Sequence, residues 1–392
     1  IKSFNKLMDK QKKQSKQTKK FDHDASMGLI TSHSSAFTGY TDFQNKTTIL
    51  DIIIDGENVL EIKEGQSGCI ILESCPFYAE AGGQIGDSGK ITSQNGEFYV
   101  HDTQKKGDAN LLFGKQISGV LKINELGHAQ IDQTKRENIK LNHSATHLLH
   151  SALIKNIGND VQQKGSLVSD EKLRFDFSCE KPIRREVLNL IEAEVNEIIE
   201  KNIPAITRVM NKDEAIAEGA IALFGEKYDE NVRVLSFGDV STELCGGTHV
   251  NNTGDIGVFK ILSESSISSG IRRIEAITGM SANDYLTKRD NLVSDICQVL
   301  NVHDEDLREK ISLLLSDNKK LKKENSTLQK KVSHLNILDL INKKNYVSEC
   351  NFQVFNQEYI DGKILKNILE EIKSSEEKLI LIILQKNKSK LE

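Results

Sequence analysis

The sequence predicts an α+β protein: a small β-barrel or sandwich, an α+β domain, a long heptad helix, and the start of a small α/β domain. Three observations carry this. Residues 36–135 break into short apolar runs separated by turn signals, the pattern of a small all-β unit. Residues 136–280 alternate helical and strand-like periodicity, as an α+β domain with a largely antiparallel sheet does. Residues 281–344 lack Gly and Pro, and leucine recurs there at every seventh position, which marks a heptad seam.

The elements follow in order. Residues 1–22 are polar and lysine-rich, with Ile1, Phe4, Leu7 and Met8 spaced for one helical face. "TTILDIIIDGENVLEI" predicts a hairpin turning at Asp55-Gly56, and "KITSQNGEFYVHD" another at Asn95-Gly96. Between them, Gly82-Gly83-Gln84 in "CPFYAEAGGQIGDSG" predicts a tight loop that brings backbone close to something. A helix is expected from Glu137 to Ile157, a hairpin around Ser169-Asp170, and a helix from Arg184 to Lys201 stopped near Pro204. Strands at 205–210 and 231–237, a short helix at 212–219, and strands at 256–264 and 271–278 complete the domain.

In the heptad region Leu307, Leu314, Leu321, Leu328 and Leu335 form the seam, joined by Ile311, Asn318, Asn325 and Val332. Two polar residues at a positions predict a specific pairing, because a buried Asn fixes register and oligomer state at some cost in stability. The tail predicts a strand at "FQVFNQ", a helix at 361–373 and a buried strand at "LILIIL", 379–384.

Composition sets the outer limits. A chain of 392 residues suggests two or three domains. Its net charge of −5 argues against uniform coating by nucleic acid. Yet the first twenty residues hold eight lysines and one acid, Asp9, so a local basic patch for RNA is not excluded. Six scattered cysteines without close pairs, no secretory leader and no apolar run long enough to span a bilayer predict a cytoplasmic protein. The start at Ile1 and the end just after a strand-like segment suggest a fragment of something longer.

The chemistry concentrates in "LNHSATHLLH" and "CGGTH". His143 and His147, four apart on a helix, share one face. Cys245 and His249, four apart around two glycines, supply two more donors. Imidazole and thiolate favour zinc over magnesium or calcium, with ligands at about 2.0–2.3 Å in a tetrahedron. His150 lies further round the helix and is expected at the surface or behind the ligands. Residue 144 is Ser, so the glutamate base of an HExxH peptidase is missing. An HxE with PCxxC, which a nucleobase deaminase needs, is missing too. Spacing alone leaves open whether such a site is catalytic or structural.

The stretches "LNHSATHLLHSALIKNIGNDVQQKGSLVSDEKLRFDFS" and "ALFGEKYDENVRVLSFGDVSTELCGGTHVNNTGDIGVFKILSESSISSGIRRIEAITG" closely resemble the editing domain of bacterial alanyl-tRNA synthetases. The resemblance covers nearly the whole chain. It implies the end of a tRNA-recognition helical domain at 1–30, a β-barrel at 31–135 and a zinc-containing editing domain at 136–280. A coiled-coil linker would follow at 281–345 and the truncated start of a C-terminal tRNA-binding and dimerisation domain at 346–392. The ATP-binding aminoacylation domain of the parent enzyme has no counterpart in this sequence. The implied activity is zinc-dependent hydrolysis of the ester in tRNA(Ala) mischarged with serine or glycine. The implied zinc ligands are His143, His147, Cys245 and His249, with one Zn2+ per chain. Gln163 matches a position in the family's editing pocket, and Gly82, Gly83 and Gln84 match a loop beside it. Arg272 and Arg273 are candidate contacts to the tRNA 3′ end, or else ion pairs within a sheet. The implied partners are tRNA(Ala) and, through the heptad helix, a second copy.

Three other readings fit less of the chain. A free-standing deacylase of the AlaX type would share the chemistry but not the lysine-rich start. The editing region of threonyl-tRNA synthetases has a similar ligand arrangement, but the barrel and heptads fit alanine better. A non-catalytic, zinc-stabilised RNA-binding module would keep the metal and lose the hydrolysis.

Overall fold

The computed structural model describes residues 33–222 and 228–341, and in the tail 346–347, 350–358, 366, 370, 379–387 and 390–391. The lysine-rich stretch at 1–30 lies outside the described residues. The chain divides into two units, Ile1–Lys288 and Arg289–Glu392.

The first unit opens with ten strands: β1 (Ala36–Phe37), β2 (Gln44–Ile54), β3 (Glu57–Val59), β4 (Glu61–Lys63), β5 (Ser67–Leu72), β6 (Ser74–Cys75), β7 (Gly89–Thr92), β8 (Gly96–Lys106), β9 (Ala109–Lys122) and β10 (Leu126–Ile131). Among the described residues, six of them run in the order β2-β5-β9-β8-β7-β10, and β10 pairs back onto β2. That closure decides for a barrel over a sandwich. Period-2 alternation fills it: Phe98 and Val100 of β8 are fully buried while Tyr99 between them is 48% exposed. Ile49, Ile52, Ile70, Leu112 and Ile91 pack around them.

The two expected hairpins form with different turns. Ile54 pairs with Glu57, so Asp55-Gly56 is a two-residue turn with φ of 52° and 88°, the left-handed pair such a turn requires. Asn95-Gly96 is not one. Thr92 pairs with Glu97 and the Ser93 N–H donates to Gly96 O, a wider turn. Gly96 serves close packing instead, since a Cβ there would press on Ser118 O at 2.6 Å.

Helix α1 (Gln133–Ile157) leaves the barrel. It begins four residues earlier than periodicity predicts, because the Asp132 side chain accepts the Lys135 N–H at 3.0 Å and caps it. Arg136, fully buried in the first turn, pairs with Asp87 and donates to the Gly39 and Pro76 carbonyls of the barrel. The following domain holds β11 (Gln163–Val168), β12 (Leu173–Ser178), α2 (Arg185–Glu200), β13 (Ala205–Asn211), α3 (Lys212–Ala217), β14 (Asn231–Phe237), β15 (Ser241–Leu244), a 3-10 turn at Thr253–Ile256, β16 (Phe259–Ser268) and β17 (Ile271–Thr278). Two antiparallel sheets result, β11-β12-β17-β16 and β13-β14-β15. Leu148, Leu149, Phe175, Phe177, Ile191 and Phe237 build their common core with α1 and α2.

The expected helix over 281–344 is two helices, α4 (Gly279–Leu300) and α5 (Leu307–Ile341). Asn301 takes a left-handed φ of 51° between them, a common way to end a helix. Leu314, Leu321, Leu328 and Leu335 lie exposed along α5. In the tail, β18 (Tyr346–Val347), β19 (Cys350–Glu358), β20 (Leu379–Asn387) and β21 (Lys390–Leu391) form a sheet in which β19 and β20 are parallel. A parallel pair needs a crossover connection. Lys366 and Glu370 within it are helical, and the rest of the helix expected at 361–373 lies outside the described residues.

Candidate metal centre

The helical spacing of α1 sets His143 and His147 one turn apart, with ring centroids 5.3 Å apart and nearly parallel. The loop after β15 brings Cys245 and His249 against them. One donor atom from each of the four lies within 4.8 Å of all the others. Cys245 Sγ is 3.6 Å from His143 Nε2 and 3.2 Å from His249 Nε2.

The loop can approach so closely because of one glycine. A Cβ on Gly247 would overlap the His143 ring, whereas one on Gly246 would meet only the Tyr40 hydroxyl at 4.0 Å. The pair therefore does not act as a unit.

Each imidazole is held from behind. Gln84 Oε1 accepts the Thr248 N–H at 2.9 Å, so the oxygen of that amide, not its nitrogen, faces His143 Nδ1 at 2.8 Å. His143 must then donate from Nδ1 and present Nε2 to the cluster. His147 Nδ1 lies 2.9 Å from Glu243 Oε2. Ser144 Oγ accepts the Val250 N–H at 3.1 Å and sits 3.3 Å from His249 Nδ1. A partner on Nδ1 that fixes the ring and leaves Nε2 for a metal is the usual support of metal-ligating histidine.

The electrostatics favour a cation at the centre. Burial would raise the Cys245 thiol, but the surrounding imidazoles of His143, His249 and His147 hold it well below the usual thiol range. Burial also opposes protonation of His147, yet the Glu243 carboxylate and the Cys245 sulfur lift it to about 10. Burial pushes His249 down to about 3, with Cys245 opposing only in part. Glu243 is held far below the carboxylate range against its own burial by His147 and His150.

The residues fit zinc. Three imidazoles and a thiolate are borderline-soft donors of the right number. His147 Nε2 is buried with no hydrogen-bond partner, a cost that a bound cation would remove.

The other expected site residues divide. Gln84 is fully buried and joins the cluster through His143 and Thr248. Gly82 and Gly83 take φ of 58° and 85° and carry the loop to β11, where the Val168 N–H donates to Gly83 O at 2.7 Å. A Cβ on Gly83 would meet Ser166 at 2.8 Å. Gln163 opens β11 opposite Phe177, half-buried; among the described residues no hydrogen bond joins it to the four ligands. Arg272 pairs with Glu264, and Arg273 with Asp176 through Nε at 2.6 Å. These partners are strand carboxylates and not members of the cluster.

Two residues went unnoticed in the sequence. Glu243 is 2% exposed and bridges His147 and His150, the latter at 3.2 Å. Strand alternation would have found it, since residues two apart share a face and Cys245 follows two later. Ser144 served only to exclude a peptidase, yet it braces His249. His150, 3% exposed, lies behind the ligands and not at the surface.

Comparison with known proteins follows the same division. Residues 1–135 match the family model "tRNA synthetases class II (A)", and residues 232–275 match "Threonyl and Alanyl tRNA synthetase second additional domain". The second match contains Glu243, Cys245 and His249. An alanine--tRNA ligase of Legionella pneumophila (strain Corby) is 39% identical over 391 residues, 100% of this chain and 46% of the relative. One from Psychromonas ingrahamii is 42% identical over 380 residues, 97% of this chain and 44% of the relative. One from Coxiella burnetii is 38% identical over the same shares. The chain thus spans about half the length of the curated relatives it matches.

Proposed function

Because the chain is, along its whole length, a homologue of about half of an alanine--tRNA ligase, we propose that it is the part of such an enzyme that hydrolyses tRNA(Ala) mischarged with serine or glycine. A pocket for a small apolar side chain rejects near neighbours by only a few kcal/mol, so a second, hydrolytic sieve is needed. The observation that carries this reading is the quartet of His143, His147, Cys245 and His249 within 4.8 Å, braced by Gln84, Glu243 and Ser144. These four would hold one Zn2+, which would polarise water or the ester carbonyl, or fix the amino group of the substrate.

The chain's own residues do the rest. Gln84 fixes the His143 tautomer and the Thr248 backbone at once, and Gly82 and Gly83 give its loop the conformation that reaches there. Gln163 orients water or reads the serine hydroxyl from the end of β11. Arg272 and Arg273 would reach the RNA 3′ end only by leaving their carboxylates. The parent enzyme joins alanine to tRNA(Ala) using ATP, works in the cytoplasm and pairs with a second copy through α5 and the tail. No helix among the described residues is long and apolar enough to cross a membrane.

A structural zinc is the competing reading, because four protein ligands complete a tetrahedron and leave no open position. Purified chain, Ser-tRNA(Ala), zinc analysis and the variants His147→Ala and Cys245→Ala separate the two. Hydrolysis should require zinc and fall by orders of magnitude in His147→Ala while the chain stays folded at the assay temperature. An intact ester with wild-type chain sinks the proposal, and activity that merely tracks the folded fraction favours structural zinc.

A further inference from the structure

His150 sits on α1 three residues beyond His147, is 3% exposed, and is not one of the four donors. Its Nδ1 lies 3.2 Å from Glu243 Oε1. Its ring packs against Phe175, with 5.3 Å between centroids. Its Nε2 is buried and has no hydrogen-bond partner. A leucine would fill the space beside Phe175 without burying a nitrogen, and an unpartnered buried polar atom costs about 1–3 kcal/mol. Packing therefore does not account for a histidine here. What sets it apart is the donor at Nδ1. Ionised Glu243 only accepts, so Nδ1 donates whichever way Nε2 is protonated.

Glu243 comes from β15 and takes donors on both oxygens. Oε2 meets His147 Nδ1 at 2.9 Å. Oε1 meets His150 and also accepts the Ser241 hydroxyl at 3.1 Å. The last torsion of a glutamate is broad and roughly two-fold, not held in a staggered well. A carboxyl gripped at Oε2 alone is free to swing about that bond, and the His147 ring swings with it. Contacts at Oε1 stop the swing. Ser241 cannot do so alone, because it lies two residues away on the same strand and moves with Glu243. His150 lies on the helix that carries His147, so its bond fixes the carboxylate in the frame of the ligand itself.

We propose that His150 is a positioning residue for the metal centre: through Nδ1 it locks the Glu243 carboxylate to α1 and so aims His147 Nε2 at the quartet. This rests on the reading of the quartet as a zinc site, and not on ester hydrolysis.

Three variants of the whole chain test this. In His150→Asn the amide nitrogen stands where Nδ1 stood, one bond from Cγ, and still donates. His150→Leu and His150→Phe fill the space without a donor, and their different shapes keep the test open if one of them misfolds. Zinc affinity, read by competition with a chromophoric chelator, should fall about 10–100-fold in the two donor-free variants, as it does when an outer partner of a ligand is lost. In His150→Asn it should stay close to that of the wild type. Cobalt(II) in place of zinc supplies a second readout, because its visible d–d bands report the geometry of the ligands. Those bands should shift in the leucine and phenylalanine variants and return to the wild-type pattern with asparagine. A merely structural role would lower the melting temperature of the metal-free chain and leave affinity and bands where they were, and that result overturns the proposal. So does equal weakening in all three variants, which would assign the effect to the ring and not to its donor. A wild-type chain that takes up no zinc defeats the metal reading and this one with it, whereas normal zinc uptake by the donor-free variants defeats this one alone.

Discussion

Glu243 accepts from His147 through one oxygen and from His150 through the other. Glu243→Gln keeps the shape but leaves one oxygen, so both rings cannot donate. His147 then loses the partner that aims Nε2. Changing such an outer partner typically costs 10–100-fold in metal affinity. Titration against a chromophoric chelator should show about that loss of zinc affinity, and an unchanged affinity would mean that Glu243 serves His150 alone. The glycine pair gives a sharper contrast. Gly247→Ala should abolish zinc binding, because its Cβ overlaps the His143 ring, while Gly246→Ala should bind zinc as the wild type does. Equal effects in the two variants would refute the close-approach account. Residue spacing made the two halves of the quartet legible, because each half is local: four residues on a helix, four around a loop. Gln84 and Glu243 were harder, because the contacts that give them meaning span 59 and 93 residues. Only the fold supplies those.

Helix α1 carries two of the four donors, and its orientation rests on its first turn. Arg136 and Asp87 are both almost wholly buried, and Arg136 also saturates two barrel carbonyls. Removing one partner of a buried pair leaves the other charge uncompensated, at about 3–5 kcal/mol. Arg136→Met should therefore lower unfolding stability by about that much in denaturant titration, and adding Asp87→Asn should recover part of it. A loss under 1 kcal/mol would show that the helix is seated by its apolar face alone. Nothing local in the sequence marks Arg136 as more than a first-turn cation. Elements with a strong local signal were legible, as at Asp55-Gly56, where the turn itself demands positive φ. Asn95-Gly96 is an equally strong turn dipeptide but uses its glycine against Ser118 across the sheet, a demand that no local pattern encodes. The break at Asn301 was hidden for a related reason: without Gly or Pro, only one left-handed Asn before an acidic run ends α4.

The barrel and the α+β domain meet through groups that also serve the quartet. Gln84 belongs to the barrel sequence, yet its amide holds His143 on α1 and Thr248 beside His249. The isolated bridge from Gln84 to Val168 extends that contact into β11, and Arg136 adds another between the two parts. Metal binding should thus stabilise both parts together and not the α+β domain alone. With free zinc at ~1,000 times its Kd, linkage contributes about 4.1 kcal/mol. In a unit of this size each kcal/mol moves the melting temperature by about 2–4 °C. Stripping the metal should therefore lower one shared transition by roughly 8–16 °C. The sequence has no Trp, so the readout is the near-ultraviolet dichroism of tyrosine, to which Tyr40, Tyr78 and Tyr99 contribute from the barrel, followed beside the far-ultraviolet helix signal. Coincident shifts in the two signals support the coupling through Gln84. A helix signal that falls early while the tyrosine signal keeps its original midpoint would show the barrel to be independent of the metal. Gln84→Ala separates cause from coincidence: with zinc present it should draw the two midpoints apart, because it removes the contacts to His143 and Thr248 that join the parts at the quartet without touching any of the four donors.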